Sequence, residues 1–551
     1  MRLKTNVIFC LVIILIFSCS KEKIEADILI TNGIVYNGTD KTPSSVSMAI
    51  KDDRIIFIGD FSSVNILAKK TIDAKGLIVS PGFIDPHTHA DRDLQKPEKA
   101  HNNPFLFQGI TTVIVGNDGD SFFPTSKYKE KYETHGIGTN AVLLVGHGTV
   151  RNQVMGTSDR KANEDEITKM QALVQQEMDA GALGISTGLF YAPGSYSNTE
   201  EVIALAKTVS KNNGIYDTHL RDESSYTVGL IPAIEEAIEI GRQAKLPIHI
   251  SHIKCLGVDV WEQSKDIIML IEKAQEEGVD VTANQYPYDA SATGLKAAVV
   301  PRWAESGGKD SLFFRYNNPK LKQQILEETK KNIFRRGGAE KLLIVKAVDS
   351  SFVGKDLLEI SRFLNLSPEI AVYDVLKTGY VRVASFNMNE VDIHNFMKQD
   401  WVVTGSDGNT GHPRKYGSFP RKYHKYVKQG KVIDVATFIN GSTSKTADIF
   451  KIPKRGRLQE GYYADIIIFN PETFKDVADY KDSFQFAEGL ECSIINGKLS
   501  VENGKYRSIK RKSFKKIKHY EKSKSNNCFF SLINNQLQEI RKETRRSTTR
   551  N

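Results

Sequence analysis

Cysteine is scarce in this chain and never occurs at a paired spacing. Only five cysteines are present among 551 residues, and there is no Cys-x-x-Cys motif. The sequence therefore favours neither a disulfide framework nor a zinc-ribbon site. The five are Cys10, Cys19, Cys255, Cys492 and Cys528.

The chain also lacks an amino-terminal apolar run long enough to span a membrane comfortably. The run 7–17 follows a basic start and ends just before Cys19. A basic start followed by a short apolar run is typical of a secretory signal. Residues 16–19, Ile-Phe-Ser-Cys, resemble the lipobox of bacterial lipoproteins. That resemblance implies a signal peptide over residues 1–19 and lipid attachment to the Cys19 sulfur.

We therefore expect an exported lipoprotein of the bacterial cell envelope. It would be periplasmic or attached to the outer membrane, with a membrane as its partner through the lipid anchor. The alternatives are an ordinary signal peptide or an uncleaved anchor. Each of these also places the mature protein outside the cytoplasm.

The body of the chain carries little net charge, although the whole sequence carries +9. From Lys505 onward, fifteen Lys/Arg against three Glu give +12, which leaves −3 for residues 1–504. The basic balance therefore says nothing about the substrate, and we expect no nucleic-acid partner. Residues 507–551 are predicted to be a basic, disordered tail. The alternative is a segment that binds nucleic acid or anionic lipid.

The sequence does contain a His-x-His pair at the end of a short apolar run. His87 and His89 follow residues 83–86, Phe-Ile-Asp-Pro. Alternate residues of an extended strand point to the same side, so the two imidazoles can face one point. A bound divalent metal needs such an arrangement. Alone, the pair is equally compatible with two surface histidines.

Later apolar runs alternate with helical patterns, and several end at a polar residue. Residues 215–218 end at His219, and residues 401–405 end at Ser406 and Asp407. Repeated strand–helix units predict an α/β fold, a (β/α)8 barrel of the TIM type. The chemistry of such barrels lies at the carboxyl ends of the strands.

Runs rich in β-formers at both chain ends predict a small β-sandwich domain built from the two ends together. Within the barrel the strand–helix pattern breaks over about 290–345, which predicts an inserted lid or small subdomain. The predicted ranges are 1–19 for the signal peptide, 24–80 and 455–506 for the sandwich, 81–454 for the barrel and 507–551 for the tail.

Six polar residues at strand ends form the candidate metal site. Four histidines and two aspartates supply mixed nitrogen and oxygen ligands, which suit zinc or a similar divalent ion. His147 and His249 are left outside the set, and His249 is expected to point away because it alternates with the presumed ligands. The six are His87, His89, Asp118, His219, His252 and Asp407.

Longer motifs occur in a fixed order along the chain. They are 81–89, 181–189 (Gly-Ala-Leu-Gly-Ile-Ser-Thr-Gly-Leu) with Tyr191, 218–223 (Thr-His-Leu-Arg-Asp-Glu), 251–254 (Ser-His-Ile-Lys), 286–288 (Tyr-Pro-Tyr), 405–408 (Gly-Ser-Asp-Gly), 412–414 (His-Pro-Arg), 418–421 (Ser-Phe-Pro-Arg) and 461–469. Over residues 26–506 the chain resembles the metal-dependent amidohydrolase superfamily. Within that superfamily it resembles the D-aminoacylase (N-acyl-D-amino-acid deacylase) family.

The resemblance implies a role for each candidate ligand. His219 and His252 would hold a tightly bound zinc ion, and His87, His89 and Asp407 would form the neighbouring site. D-Aminoacylases have a cysteine in the metal shell at the position of Asp118. A carboxylate can still bind or bridge zinc, so Asp118 is retained as a ligand. One or two ions are expected, zinc or another divalent metal.

The same resemblance implies how the substrate is bound. Lys254 and Arg414 match the residues that hold the substrate's free carboxylate, for which the guanidinium fork of arginine is well shaped. The alternative is that both are surface charges on loops. Either Tyr286 or Tyr288 would polarise the substrate, with a slight preference for Tyr288. Tyr191 is a further candidate for substrate binding.

The expected reaction is zinc-dependent hydrolysis of the amide bond of an N-acyl-D-amino acid. A metal makes the carbonyl a better electrophile and water a better nucleophile. Asp407 would accept the water's proton and deliver it to the leaving amine. The products would be a carboxylic acid and a free D-amino acid, and the D preference follows from the resemblance alone.

Two other hypotheses stay open. The same site could hydrolyse a cyclic amide, as dihydroorotases and hydantoinases do, or a dipeptide. Lys254 and Arg414 instead favour an acyclic small molecule with a free carboxylate. A lipid-anchored binding protein without turnover is supported only by Asp118. The sequence indicates neither the acyl group, nor the side chain, nor the oligomeric state.

Overall fold

Parallel strands at eight positions form a closed barrel at the centre of the computed structural model, which describes residues 23–507. The barrel closes between its first and last strands, where the Asp407 amide donates to the His87 carbonyl at 2.9 Å. The predicted (β/α)8 class is therefore confirmed. The strands are Phe83–Asp85, Ile110–Val115, Asn140–Leu143 with Val145–Gly146, Gly184–Gly188, Ile215–His219, Ile248–Ile250, Val281–Gln285 and Val402–Thr404.

Helices follow the strands and cover the barrel. Thr199–Lys211 begins where the Asn198 side chain accepts a hydrogen bond from the Glu201 amide, and Val202 and Val209 are among its buried residues. The α-helices outside the insertion are Asp91–Leu94, Asn103–Leu106, Thr125–His135, His147–Met155, Glu164–Asp179, Thr199–Lys211, Leu230–Ala244, Ser264–Glu276, Glu390–Met397, Arg414–Arg421, Val435–Ser442 and Ser444–Ile449, with a π-helix at Lys422–Gln429.

Strands from both ends of the chain build the small β domain. Ile78–Pro81 pairs antiparallel with Ile466–Phe469. One hydrophobic cluster contains residues of both sheets, including Met48 and Ile494. The first sheet has the strand order Arg54–Gly59, Ser47–Lys51, Lys23–Thr31, Asn65–Asp73. The second sheet has the strand order Ile34–Val35, Ile78–Pro81, Ile466–Phe469, Leu490–Ile495, Lys498–Glu502, Lys505–Tyr506.

The insertion, here called the inserted subdomain (290–386), reaches further than the predicted range of about 290–345. Its antiparallel sheet has the order Ala290–Gly294, Val381–Phe386, Leu342–Ala347. Because Val381–Phe386 is the central strand, the unit cannot end before residue 386. A separate hydrophobic cluster forms its core. Its helices are Leu295–Val299, Arg302–Glu305, Gly308–Asn317, Pro319–Arg335, Leu357–Phe363 and Pro368–Lys377.

The described residues, 23–507, do not include the amino-terminal segment on which the prediction of export depends. No helix within residues 23–507 combines the length and the apolar composition needed to cross a membrane. The two cysteines in this range, Cys255 and Cys492, are buried and free. Cys19, the predicted signal peptide and residues 508–551 of the predicted tail lie outside the described range.

Candidate active site

A cavity of about 880 Å³ opens at the carboxyl ends of the barrel strands. This is the end of a (β/α)8 barrel at which catalytic residues are expected. The inserted subdomain supplies part of the cavity wall through residues 291–294. Five of the six candidate ligands line the cavity, and the sixth, His87, is fully buried. The five are His89, Asp118, His219, His252 and Asp407.

The Asp118 carboxylate lies between the four candidate histidines. Its Oδ1 is 3.4 Å from His87 Nε2, 3.6 Å from His219 Nδ1 and 3.5 Å from His252 Nε2. Its Oδ2 is 3.4 Å from His89 Nε2. The side chains therefore form two potential metal-binding groups that share Asp118.

Asp407 joins the metal-binding group to a buried arginine. Its Oδ1 is 3.2 Å from His89 Nε2, and its Oδ2 accepts a hydrogen bond from Arg414 Nη2 at 2.7 Å. Burial alone would raise the pKa of the Asp407 carboxyl. The positive charge of Arg414 and the contact with His89 instead hold this pKa below its ordinary range. Asp407 is therefore ionised at neutral pH.

The candidate ligands fit a divalent metal. Both ring nitrogens of His87, Oδ1 of Asp118 and Nε2 of His219 are buried and have no hydrogen-bond partner. Buried polar atoms without a partner are costly, and a coordinated ion would satisfy them. Burial would raise the pKa of Asp118, but the surrounding histidines hold it well below its usual range. An ionised carboxylate among imidazoles is a suitable donor set for zinc.

Three of the candidate ligands have unusual backbone angles. The φ values of Asp118, His252 and Asp407 are 58°, 38° and 48°. Left-handed backbone is uncommon for residues other than glycine, and such residues cluster at functional sites. The neighbouring Gly188 is tightly constrained, since a Cβ there would lie 2.1 Å from the Asp118 carbonyl oxygen. This close approach explains why position 188 of the motif 181–189 is a glycine.

Lys254 and Arg414, the predicted carboxylate-binding residues, both lie against Tyr286. The Lys254 Nζ and the Arg414 Cζ are 5.7 and 4.7 Å from the centre of the Tyr286 ring. Nε and Nη1 of Arg414 are buried and have no partner. Arg414 therefore keeps donors that the described residues do not use and that a substrate carboxylate can engage.

The structure places Tyr286, and not the preferred Tyr288, on the cavity wall. Tyr288 is 1% exposed and packs against the His412 ring, with the Arg421 guanidinium 4.6 Å from its ring centre. The strand ends at Gln285, so the two-residue alternation no longer governs the residues that follow it. The preference for Tyr288 is corrected accordingly.

Tyr191, the other predicted substrate-binding residue, lines the cavity beside a candidate ligand. Its ring centre is 4.8 Å from that of His219. Its hydroxyl lies 3.3 Å from Thr293 Oγ1 of the inserted subdomain. Tyr191 therefore joins the barrel to the inserted subdomain at the edge of the metal-binding groups.

Glu223 is a buried residue of the site that the sequence did not single out. Its Oε1 lies 3.0 Å from His252 Nδ1 and accepts a hydrogen bond from Lys254 Nζ. Burial would raise the pKa of Glu223, but the charge of Lys254 holds it below its ordinary range. Glu223 therefore fixes the orientation of both neighbours. Its place in the motif 218–223 was the available signal.

Two further carboxylates support the ligands from within the barrel. Asp85 accepts hydrogen bonds from the backbone amides of His87 and Ser406, at 3.2 and 3.0 Å. Asp217 accepts a hydrogen bond from Ser251 Oγ at 3.0 Å. Each lies two residues before a candidate histidine, His87 or His219, so strand alternation could have identified both.

His147 and His249, which were not predicted to be metal ligands, belong to neither of the two metal-binding groups. His249 Nδ1 lies 2.8 Å from Thr282 Oγ1, and its Nε2 lies 2.9 Å from Asn284 Nδ2. His147 Nε2 lies 2.8 Å from Glu201 Oε1. Both are therefore held by partners of their own.

The comparisons with known proteins agree with this arrangement. Residues 70–315 match the family described as Amidohydrolase family. A D-aminoacylase of Alcaligenes xylosoxydans xylosoxydans is 31% identical over 498 residues, covering 86% of this chain and 93% of that protein. The chain belongs to the D-aminoacylase family. The predicted family is thus confirmed.

Two solved structures of D-aminoacylase relatives resemble the fold closely. N-acyl-D-glutamate deacylase of Bordetella bronchiseptica, complexed with zinc and a phosphonate inhibitor, has a TM-score of 0.75 at 27% identity, covering 86% of this chain and 96% of that one. A D-aminoacylase structure has a TM-score of 0.75 at 31% identity, covering 87% and 98%. Both cover most of this chain, in keeping with the motifs over 26–506.

Proposed function

We propose that this protein is a zinc-dependent N-acyl-D-amino-acid deacylase. It hydrolyses the amide bond of the substrate and releases a carboxylic acid and a free D-amino acid. One observation carries the proposal. The Asp407 carboxylate contacts both the histidines of a metal-binding group and Arg414, whose free donors fit a substrate carboxylate. The proton-transfer group, Asp407, therefore directly contacts the substrate-orienting group, Arg414.

The metal would be held by the two groups that share Asp118. His219 and His252 with Asp118 form one group, and His87, His89, Asp118 and Asp407 form the other. Zinc supplies Lewis-acid chemistry, because it polarises a carbonyl and acidifies water. Glu223 and Asp85 hold His252 and the His87 backbone in place, so the ligands are positioned before any substrate arrives.

Asp407 acts as the general base and then as the general acid. It is ionised, so it can accept a proton from the attacking water. The same carboxyl then donates that proton to the nitrogen of the leaving amine. Arg414 holds one of its oxygens at 2.7 Å, which fixes the orientation of the other oxygen toward His89.

Arg414 and Lys254 orient the substrate through its free carboxylate. Nε and Nη1 of Arg414 have no partner within the described part of the protein, so the guanidinium can donate to a substrate carboxylate as well as to Asp407. Lys254 adds a second positive charge, 5.7 Å from the centre of the same Tyr286 ring. Such a pair favours an acyclic amide with a free carboxylate over a hydantoin, which lacks one.

The first test is a panel of N-acetyl-D-amino acids and their L enantiomers, assayed with the zinc-loaded full-length protein. We expect release of the free D-amino acids, detected by chiral chromatography, with little or no release of the L forms. Hydrolysis of the L panel alone would overturn the stereochemical part of the proposal. Hydrolysis of hydantoins or dihydroorotate without turnover of either panel would overturn the substrate class.

We also propose that the chain is an exported lipoprotein of the cell envelope, with lipid on Cys19. The support is the apolar run 7–17 that ends just before Cys19. In bacteria grown with radiolabelled palmitate, the full-length chain should take up label and fractionate with membranes. The variant Cys19→Ser should do neither. Equal labelling of the two proteins would remove the proposal.

A further inference from the structure

Two arginines of the inserted subdomain, Arg336 and Arg382, line the cavity without an acidic partner. They are only 1% and 8% exposed. Within residues 23–507, no carboxylate oxygen lies within 4.0 Å of a side-chain nitrogen of either residue. Buried charges in proteins are normally paired. These two positive charges therefore indicate a negative group that the protein itself does not supply.

The contacts of Arg382 leave part of its guanidinium unused. Nη2 donates to the Ala292 carbonyl at 3.1 Å, and Nη1 has only a long contact of 3.4 Å to the Tyr380 hydroxyl. Nε is buried and has no partner. The described part of the protein therefore supplies Arg382 with one good acceptor only, and that acceptor is uncharged.

Arg336 is held in place by uncharged groups. Its Nε donates to the Tyr226 hydroxyl at 2.6 Å and to the Ala298 carbonyl at 3.1 Å. Its Nη1 has a long contact of 3.5 Å with Ser291 Oγ. These partners fix the side chain at the cavity wall but do not neutralise its charge.

Of the other lysines and arginines of the cavity wall in residues 23–507, all but the exposed Lys309 are paired, which sets these two arginines apart. Lys309, which also has no carboxylate within 4.0 Å in the described part of the chain, is exposed and therefore solvated. The pairs are Arg92–Asp120, Lys254–Glu223, Lys296–Glu305 and Arg414–Asp407.

Arg382 lies next to the proposed site for the first substrate carboxylate. Nη2 of Arg382 and Nη2 of Arg414 both donate to the carbonyl oxygen of Ala292, at 3.1 and 3.5 Å. Asp407 offsets the charge of Arg414, whereas no carboxylate of the described residues lies beside Arg382, so the repulsion between the two guanidinium groups is only partly compensated. A single substrate molecule with two negative groups would place one near each arginine.

We propose that Arg382 and Arg336 form a second anion-binding subsite and that the preferred substrate is an N-acyl-D-amino acid with a second carboxylate. The second carboxylate belongs either to the amino-acid side chain or to the far end of the acyl group. The inference rests on the proposed deacylase function. The guanidinium fork of arginine suits a carboxylate better than a point charge does.

The test compares three substrates with the zinc-loaded full-length protein: N-acetyl-D-leucine, N-acetyl-D-glutamate and N-succinyl-D-leucine. We expect kcat/KM for one of the two dicarboxylates to exceed that for N-acetyl-D-leucine by about tenfold or more. Preference for N-acetyl-D-glutamate assigns the subsite to the side chain. Preference for N-succinyl-D-leucine assigns it to the acyl group.

Arg382→Gln should lower the ratio of kcat/KM for the preferred dicarboxylate to that for N-acetyl-D-leucine by about tenfold or more, mainly through KM. Arg382→Lys, which keeps the charge but loses the fork, should retain part of the ratio. The control Lys309→Gln removes a positive charge that is exposed and screened, so the ratio should stay within about twofold of the wild-type value.

A wild-type ratio near or below one would overturn the inference while leaving the deacylase function intact. An equal loss for all three substrates in Arg382→Gln would overturn it as well, because Arg382 would then serve the first carboxylate. If no N-acyl-D-amino acid is hydrolysed, the proposed function itself fails. The subsite is then tested separately, since glutarate should raise Tm more than butyrate in the wild-type protein and not in Arg382→Gln.

Discussion

Replacing Asp407 with asparagine is expected to lower kcat for N-acetyl-D-amino acids by about 10³-fold or more. The amide cannot accept the proton of the attacking water or return it to the leaving amine. Asparagine tolerates left-handed backbone, so the φ of 48° at this position should be retained. The measurement is steady-state kinetics, with zinc content and circular dichroism recorded on the same samples.

The matched control for this change is Asp476→Asn. Asp476 is paired with Arg421 at 3.0 Å, much as Asp407 is paired with Arg414, but it does not line the cavity. The control should therefore keep kcat close to the wild-type value. An Asp407→Asn protein that binds zinc and turns over substrate within about tenfold of the wild-type rate would show that another group moves the proton.

Replacing Asp118 with asparagine is expected to remove both bound metal and turnover. The carboxylate lies within 3.4–3.6 Å of four histidines and belongs to both potential metal-binding groups. A neutral amide there leaves His219 and His252 without an anionic ligand and leaves the other group with Asp407 alone. We expect kcat/KM to fall by about 100-fold or more. Zinc per chain, measured by inductively coupled plasma mass spectrometry, should fall in parallel.

Asp120→Asn provides the control for Asp118. Asp120 also lines the cavity, but its carboxylate is 74% exposed and pairs with Arg92 at 3.2 Å. Such an exposed pair contributes little, so zinc content and kcat/KM should stay near the wild-type values. If Asp118→Asn retained its full zinc content and activity, the metal would be held by the histidines and Asp407 alone.

The parts of the site that the sequence predicted depend on local rules. His87 and His89 lie two residues apart just after the strand Phe83–Asp85, and both rings reach Asp118, as the alternation of an extended segment predicts. His219 and His252 follow strands in the same way, and the barrel brings all strand ends to one edge. Residues whose direction is set by their own strand were therefore predictable individually.

Contacts between distant parts of the chain were not predictable in this way. Glu223 depends on Lys254, which follows another barrel strand, and nothing local to either residue reveals the pair. Tyr288 lies off the cavity wall, and because it follows the end of its strand at Gln285, alternation along the strand does not set its direction. A single sequence contains no record of such pairings.

The predicted end of the insertion, near residue 345, was wrong for the same reason. Val381–Phe386 has the apolar composition of a barrel strand, yet it pairs antiparallel with Ala290–Gly294. Only that long-range pairing assigns it to the insertion and brings Arg382 to the cavity. The residues that would determine substrate preference were therefore the least visible in the sequence.

The most direct test of the proposed activity is a zinc titration of the full-length protein after treatment with a chelator. Bound zinc and the release of D-leucine from N-acetyl-D-leucine are measured in the same samples. We expect no release without metal, release that rises with bound zinc, and none from Asp407→Asn at any zinc content. Equal release from the metal-free protein, or zinc bound at the wild-type site without release of any D-amino acid, would contradict a metal-dependent deacylase at this site.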